Sequence, residues 1–164
     1  LWRQIVEGRL GAVRWSQAAC TGMELPFCLA GVMAATGETN PARICMAGDY
    51  ANGGALLTLE YENGHTFAVA CWKEAIARRS IVMRGANDAF VWTNEEARIS
   101  GRELHPLHSE TVALEEWLAA MRGREGSPYG AANTRQMAQS IAHATQVLYT
   151  GRTYSRGSVG VCIV

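Results

Sequence analysis

Asn63-Gly64 divides two runs of alternating residues, and this pattern restricts the fold more than any other feature of the chain. Before it, Leu57, Leu59 and Tyr61 alternate with Thr58, Glu60 and Glu62. After it, Phe67, Val69 and Cys71 alternate with Thr66, Ala68 and Ala70. Strand side chains repeat every second residue, and Asn-Gly supplies the backbone angles of a tight hairpin turn, so the whole reads as a β-hairpin. Two more β-rich runs, 80–84 and 89–93, are separated by Gly85-Ala86-Asn87-Asp88. Residues 53–93 therefore predict an antiparallel sheet, with His65 at an exposed hairpin tip.

The remaining segments read as its covering. Residues 1–7 carry a short helical pattern stopped by Gly8, and 12–19 alternate as a strand. Residues 23–36 are mostly apolar and predict a helix, with Pro26 in its first turn and Gly37 at its end. A short strand at 43–47 and a turn-rich connection at 49–54 lead into the hairpin. A last short strand is expected at 97–99, then a loop at 101–108. Ser109 caps a helix over 109–121 whose apolar stripe includes Leu114, Trp117, Leu118 and Met121. After a glycine- and proline-bearing connector, Asn133-Thr134-Arg135-Gln136 matches a capping box that opens a final helix running to about Thr150. Strands in one block with helices on either side predict an α+β fold, a largely antiparallel open sheet covered on one face by helices. Ala68, Ala70 and Trp72 make the other face apolar too. A second copy of the chain is the economical cover, so a homo-oligomer through the sheet face, a dimer, is expected.

A chain of 164 residues with 48% hydrophobic and 18% charged residues reads as a single folded domain over 1–164. The formal net charge of zero, with both signs interleaved, argues against nucleic acid as a partner. No apolar run approaches the roughly 20 residues that span a bilayer, so no membrane association is expected. The five cysteines are widely spaced, with no CxxC pair, and sit in apolar surroundings. Reduced thiols and a cytoplasmic location follow. A chain that opens on Leu1 reads as either a fragment or an isolated domain of something longer.

Nucleotide loops of the GxGxxG and GxxxxGK[ST] types are absent, as are HExxH and GxSxG. His105 and His108 share a loop without a third ligand, and His143 reads as a helix-face residue, so no catalytic or metal-binding residue is assigned. Lys73, the one lysine among 15 basic residues, follows Trp72 at the end of a strand and suits an anionic or polar ligand. The Arg78-Arg79 pair offers a guanidinium grip for the same purpose. If a small polar ligand is held between the sheet and the 23–36 helix, the candidate residues are Glu24, Cys28, Trp72, Lys73 and Arg79.

Three stretches resemble one family. Residues 3–14, RQIVEGRLGAVR, look like the entry to the C-terminal domain of Gfo/Idh/MocA oxidoreductases. Residues 57–64, LTLEYENG, with the following strand and Arg84-Gly85, are similar to that family's sheet core. The segment from His108 through the final helix to Tyr154 is similar to its last two helices and closing strand. The resemblance implies a fold like the C-terminal domain of GAPDH. It also implies the substrate-binding and oligomerisation domain of an NAD(P)-dependent oxidoreductase, whose open sheet face mediates self-association. The family's Rossmann half is not in this sequence. The chain alone is therefore expected to hold no cofactor, and NAD(P) would require that half to be supplied. The family tends to carry an Asp and a His in the first helix of this domain; here that helix offers Glu24 and Cys28 and no histidine, so the acid/base pair does not carry over. The alternative is a free-standing dimeric module that holds a small ligand or acts as a scaffold, without redox activity.

Overall fold

The hairpin read from Asn63-Gly64 is present: strand β3 (Gly54–Glu60) pairs antiparallel with β4 (Thr66–Trp72), Leu59 opposite Phe67 and Leu57 opposite Val69. Gly64 adopts φ +84°, the left-handed angle that a side chain resists. The computed structural model describes residues 6–76, 79–93, 97–99, 101–103 and 131–157. The helix expected over 109–121, His105, His108, Arg78 and Cys162 lie outside the described residues.

Seven further strands join the hairpin. They are β1 (Val13–Thr21), β2 (Arg43–Asp49), β5 (Ser80–Gly85), β6 (Ala89–Thr93), β7 (Ala97–Ile99), β8 (Arg102–Glu103) and β9 (Tyr154–Ser155). They form one sheet in the order β8-β7-β6-β5-β1-β4-β3-β2-β9. Among the described residues every pairing is antiparallel except one. The strand β1 inserts between β4 and β5 and runs parallel to β4, with Ser16 opposite Phe67 and Cys20 opposite Cys71. The largely antiparallel α+β sheet is thus as expected, with one parallel seam.

Alternation sorts the residues onto two faces. Ala18, Cys20, Leu57, Leu59, Phe67, Val69, Cys71, Ile44, Met83, Phe90 and Ile99 are buried on one face. Helix α1 (Leu25–Thr36) contributes Leu25, Leu29, Val32 and Met33 to that core, and helix α2 (Ala131–Thr150) contributes Met137, Ala144, Val147 and Leu148. Pro26 stands in the first turn of α1, and Gly37 closes it with φ +76° and its N–H on Met33 O. The opposite sheet face carries Leu56 and Trp72, exposed by 44% and 47%, among half-buried Ala19, Ala68, Ala70, Val82 and Val91.

Three local expectations are corrected. The N-terminal helical stretch does not stop at Gly8: a π-type turn covers Val6–Leu10, and the chain breaks at Gly11, where φ is +68°. Helix α2 begins at Ala131, so Asn133 lies inside the helix, and Gln136 Oε1 accepts from Thr39 Oγ1 at 2.9 Å instead of closing a capping box. A tertiary partner wins over the local cap. Finally, His65 is not exposed. Only 1% of it meets solvent, because the turn folds its ring back over Tyr61 and under the end of β1.

Candidate functional site

The strand directions gather the chemistry-bearing residues at one end of the sheet. Parallel β1 and β4 finish together at Thr21 and Trp72, antiparallel β5 begins there at Ser80, and β2 ends at Asp49 opposite Gly54. Glu24, Cys28, Trp72, Lys73 and Arg79 all follow or precede these strand ends. The structure divides them into three places.

Glu24, Cys28 and Arg79 form the first. Arg79 Nη2 meets Glu24 Oε1 at 2.6 Å, and Glu24 Oε2 accepts from Thr21 N at 3.1 Å, which ties the entry of α1 to the end of β1. Partial burial pushes the Glu24 carboxyl up, but the Thr21 hydrogen bonds and the Arg79 guanidinium outweigh it and hold the group below its ordinary value. Glu24 is therefore a fixed carboxylate at neutral pH and suits hydrogen-bond acceptance better than proton donation. One helical turn on, Cys28 touches Cys20, which in turn touches Cys71. The bond from Cys28 lowers the Cys20 thiol. The bond to Cys71 and burial prevail and push it up to about 12, while the Cys20 contact and burial raise Cys28 as well. These are protonated thiols that pack, not nucleophiles. Among the described residues no group of three or more His, Cys, Asp or Glu could hold a metal ion.

Lys73 forms the second place. Its Nζ donates to Ala51 O at 2.9 Å, and it lines a cleft of about 560 Å³ with Met46, Asp49, Tyr50, Tyr149 and Thr150. Two tyrosine rings wall this cleft, Tyr50 and Tyr149 meeting edge to face at 5.4 Å between centroids. Asp49 caps the 3-10 turn at Tyr50–Asn52, accepting from Ala51 N, and so sets the Tyr50 ring against Gly22, where any side chain would collide with its hydroxyl. The rim thus mixes one cation, one carboxylate, hydroxyls and ring faces, without net charge. Trp72 stands apart, on the open sheet face, its ring laid over Gly54 beside a hollow of about 380 Å³ that Leu56, Ala47 and Ala70 also line. The space between sheet and α1 is filled by Leu25, Leu29, Val32 and Met33.

Sequence reasoning did not single out Asp49, Tyr50 and Tyr149, which complete the cleft. Nor did it foresee the buried polar group at the other end of the sheet. Ser16 Oγ and His65 Nε2 share a hydrogen bond of 2.9 Å, His65 stacks on Tyr61, and both His65 Nδ1 and Tyr61 Oη are buried without a hydrogen-bond partner. A serine on an imidazole is the beginning of a nucleophile–base pair. Ser16 is 0% exposed, however, so no substrate reaches it. The only local signal for this cluster was the four-residue spacing of Tyr61 and His65 across the turn.

The cofactor that the family resemblance implies can be tested against these residues. A dinucleotide pyrophosphate rests on free N–H groups where a parallel strand turns into a helix. Here β1 turns into α1 through Glu24, a carboxylate, and Pro26, which has no N–H. Among the described residues, those at this junction do not fit the group.

An open mixed sheet with helices packed on one face defines an α+β fold. No family model and no curated protein matches the sequence. Solved structures do. An oxidoreductase of Thermotoga maritima aligns with a TM-score of 0.70 at 11% identity, over 94% of this chain and 58% of its own. The UDP-N-acetylglucosamine 3-dehydrogenase of Acidithiobacillus ferrooxidans aligns with a TM-score of 0.66 at 14% identity, over 88% and 56%. The aldose-aldose oxidoreductase of Caulobacter crescentus, complexed with glycerol, aligns with a TM-score of 0.60 at 15% identity, over 94% and 58%. The fold is that of the corresponding part of Gfo/Idh/MocA-type oxidoreductases, and this chain spans little more than half the length of the proteins it matches.

Proposed function

We propose that this chain is the substrate-binding and self-associating domain of an NAD(P)-dependent oxidoreductase, with the dinucleotide held by a separate nucleotide-binding domain. The observation that carries this reading is α1. Its sequence, LPFCLAGVMAAT, has no polar face, and Phe27 is 80% exposed beside Met23 at 85%. A helix apolar on every side wants cover on every side. The inner side of α1 is buried on the sheet, and its outer side, with Phe27 exposed, suits a second domain.

The substrate we infer is a small polyhydroxylated molecule. Support comes from the cleft, which offers tyrosine ring faces for C–H edges, the Lys73 ammonium as donor, and Asp49 and Thr150 oxygens as acceptors. Two of the matched proteins are a nucleotide-sugar dehydrogenase and an aldose oxidoreductase. In this reading Lys73 and Tyr149 orient the ligand, the Asp49 carboxylate accepts a hydroxyl hydrogen bond, and no proton or hydride step is assigned to this chain. The open sheet face, on which Trp72 and Leu56 are exposed, pairs with a second copy.

Two measurements test the reading. Ligand-observed NMR with a panel of monosaccharides and cyclitols should detect binding that Lys73→Met and Tyr149→Ala both abolish. Sedimentation at micromolar concentration should give a dimer that Trp72→Glu converts to monomer. A monomeric wild type would remove the self-association claim. Tight NADH binding by this chain alone, read by cofactor fluorescence, would remove the separate-domain claim.

A further inference from the structure

The chain holds two Asn-Gly pairs, Asn52-Gly53 and Asn63-Gly64, and the fold treats them differently. Glycine after asparagine leaves its backbone nitrogen unshielded and its φ and ψ free, the condition under which that nitrogen can reach the side-chain amide. The nitrogen attacks Cγ, ammonia leaves with the proton, and a five-membered succinimide closes. Water then opens the ring at either carbonyl, giving aspartate or isoaspartate. The net change is one water consumed and one ammonia released.

Asn63 is clamped against this chemistry. Its Oδ1 accepts from His65 N at 2.9 Å, and its Nδ2 donates to Glu38 Oε1 at 2.6 Å. His65 in turn is buried, so the backbone after Gly64 is anchored in the core. Gly64 N donates to Tyr61 O at 3.0 Å, and the Arg14 guanidinium approaches the same glycine. Ring closure at Asn63 requires the turn to open.

Asn52 is held far less. It is exposed, at the end of the Tyr50–Asn52 turn, and its amide nitrogen donates to Asp49 Oδ2 at 2.6 Å. Gly53 N makes only a long contact of 3.3 Å to Tyr50 O, and nothing lies within 4 Å of where a Gly53 side chain would stand. Gly53 has φ +137°, an angle open to glycine and strained for other residues.

We propose that Asn52 is a site of spontaneous deamidation in the folded protein and that Asn63 is protected. The change would matter to the cleft. A carboxylate at position 52 replaces the Asn52–Asp49 hydrogen bond with two like charges, loosening the cap of the turn that carries Asp49 and Tyr50. This inference does not depend on the proposed substrate.

The test is incubation of the folded chain at neutral pH and body temperature for days. Cleavage at glutamate then separates the two pairs, and mass spectrometry reads the gain of about one dalton at each asparagine. A urea-unfolded sample serves as control. The expected result is comparable conversion of both sites when unfolded. In the folded chain Asn52 should convert roughly ten-fold faster than Asn63, the factor that one or two net hydrogen bonds supply. Equal folded rates, faster reaction at Asn63, or no conversion at Asn52 while the unfolded control has reacted would each overturn the proposal.

Discussion

Acidification should destabilise this fold chiefly through His65. The imidazole is 1% exposed, shares one hydrogen bond with Ser16, and leaves Nδ1 without a partner. Burial pushes it down from 6.5 to about 4. Burial is the one cause of this shift, with no charged neighbour among the described residues offsetting it. Tyr61, stacked on the imidazole, is raised by its own burial and by Glu38, and stays neutral. Below pH 6.5 the unfolded chain takes up a proton at this histidine that the folded chain refuses until about pH 4. Stability from this group is therefore complete above pH 6.5 and falls as the pH drops through that window. At about 1.4 kcal/mol per pH unit, the loss by pH 4 is about 3 kcal/mol. Urea unfolding at pH 7.5 and pH 4.5 measures it. A Ser16→Ala/His65→Phe double variant removes the titrating group and its partner together and should lose about 2 to 3 kcal/mol less than wild type over that interval. Carboxylates that titrate in the same range cancel in the comparison. Identical pH dependence in the two proteins would refute the reasoning.

Three further outcomes are expected. A Gly85→Ala substitution drives a Cβ into the Leu10 carbonyl, a backbone atom that cannot rotate away, and should cost about 2 to 3 kcal/mol in urea unfolding, as overpacking does. Phe67→Ala empties the centre of the core, where the ring is 0% exposed, and should cost about 3 to 5 kcal/mol, read by thermal or urea unfolding. In the native chain Cys20, Cys28 and Cys71 should react with a thiol reagent at pH 8 far more slowly than Cys45, which is half-buried. Peptide-resolved alkylation distinguishes them, and equal rates would contradict the burial of these thiols.

The sheet was legible because its signals are local. Alternation through residues 57–71, the Asn-Gly turn and the Gly37 stop each depend on a few neighbours, and the structure keeps all three. What escaped was set by long-range pairing. Nothing near Val13–Thr21 records that this strand will enter the middle of the sheet, parallel to β4. Tyr50, Lys73 and Tyr149 meet only because the ends of β2, β4 and α2 arrive together, and no spacing along the chain announces that. His65 was misjudged for a related reason. A hairpin tip is exposed by default, and only the Ser16 and Tyr61 contacts turn this one inward.

The parallel seam also bears on how the chain is made. Strand β1 leaves the ribosome before the other strands of this sheet, yet both its neighbours, β4 and β5, lie about 50 residues or more downstream. Until they appear, β1 has two unsatisfied edges and an apolar face, while β2, β3 and β4 can already zip together as a meander. The pairings of β1 at the sheet's centre must wait for β4 and β5. A nascent chain paused before Ser80 would present a half-built sheet with its middle strand unclaimed on one side, the species most open to capture by a chaperone or by another nascent copy.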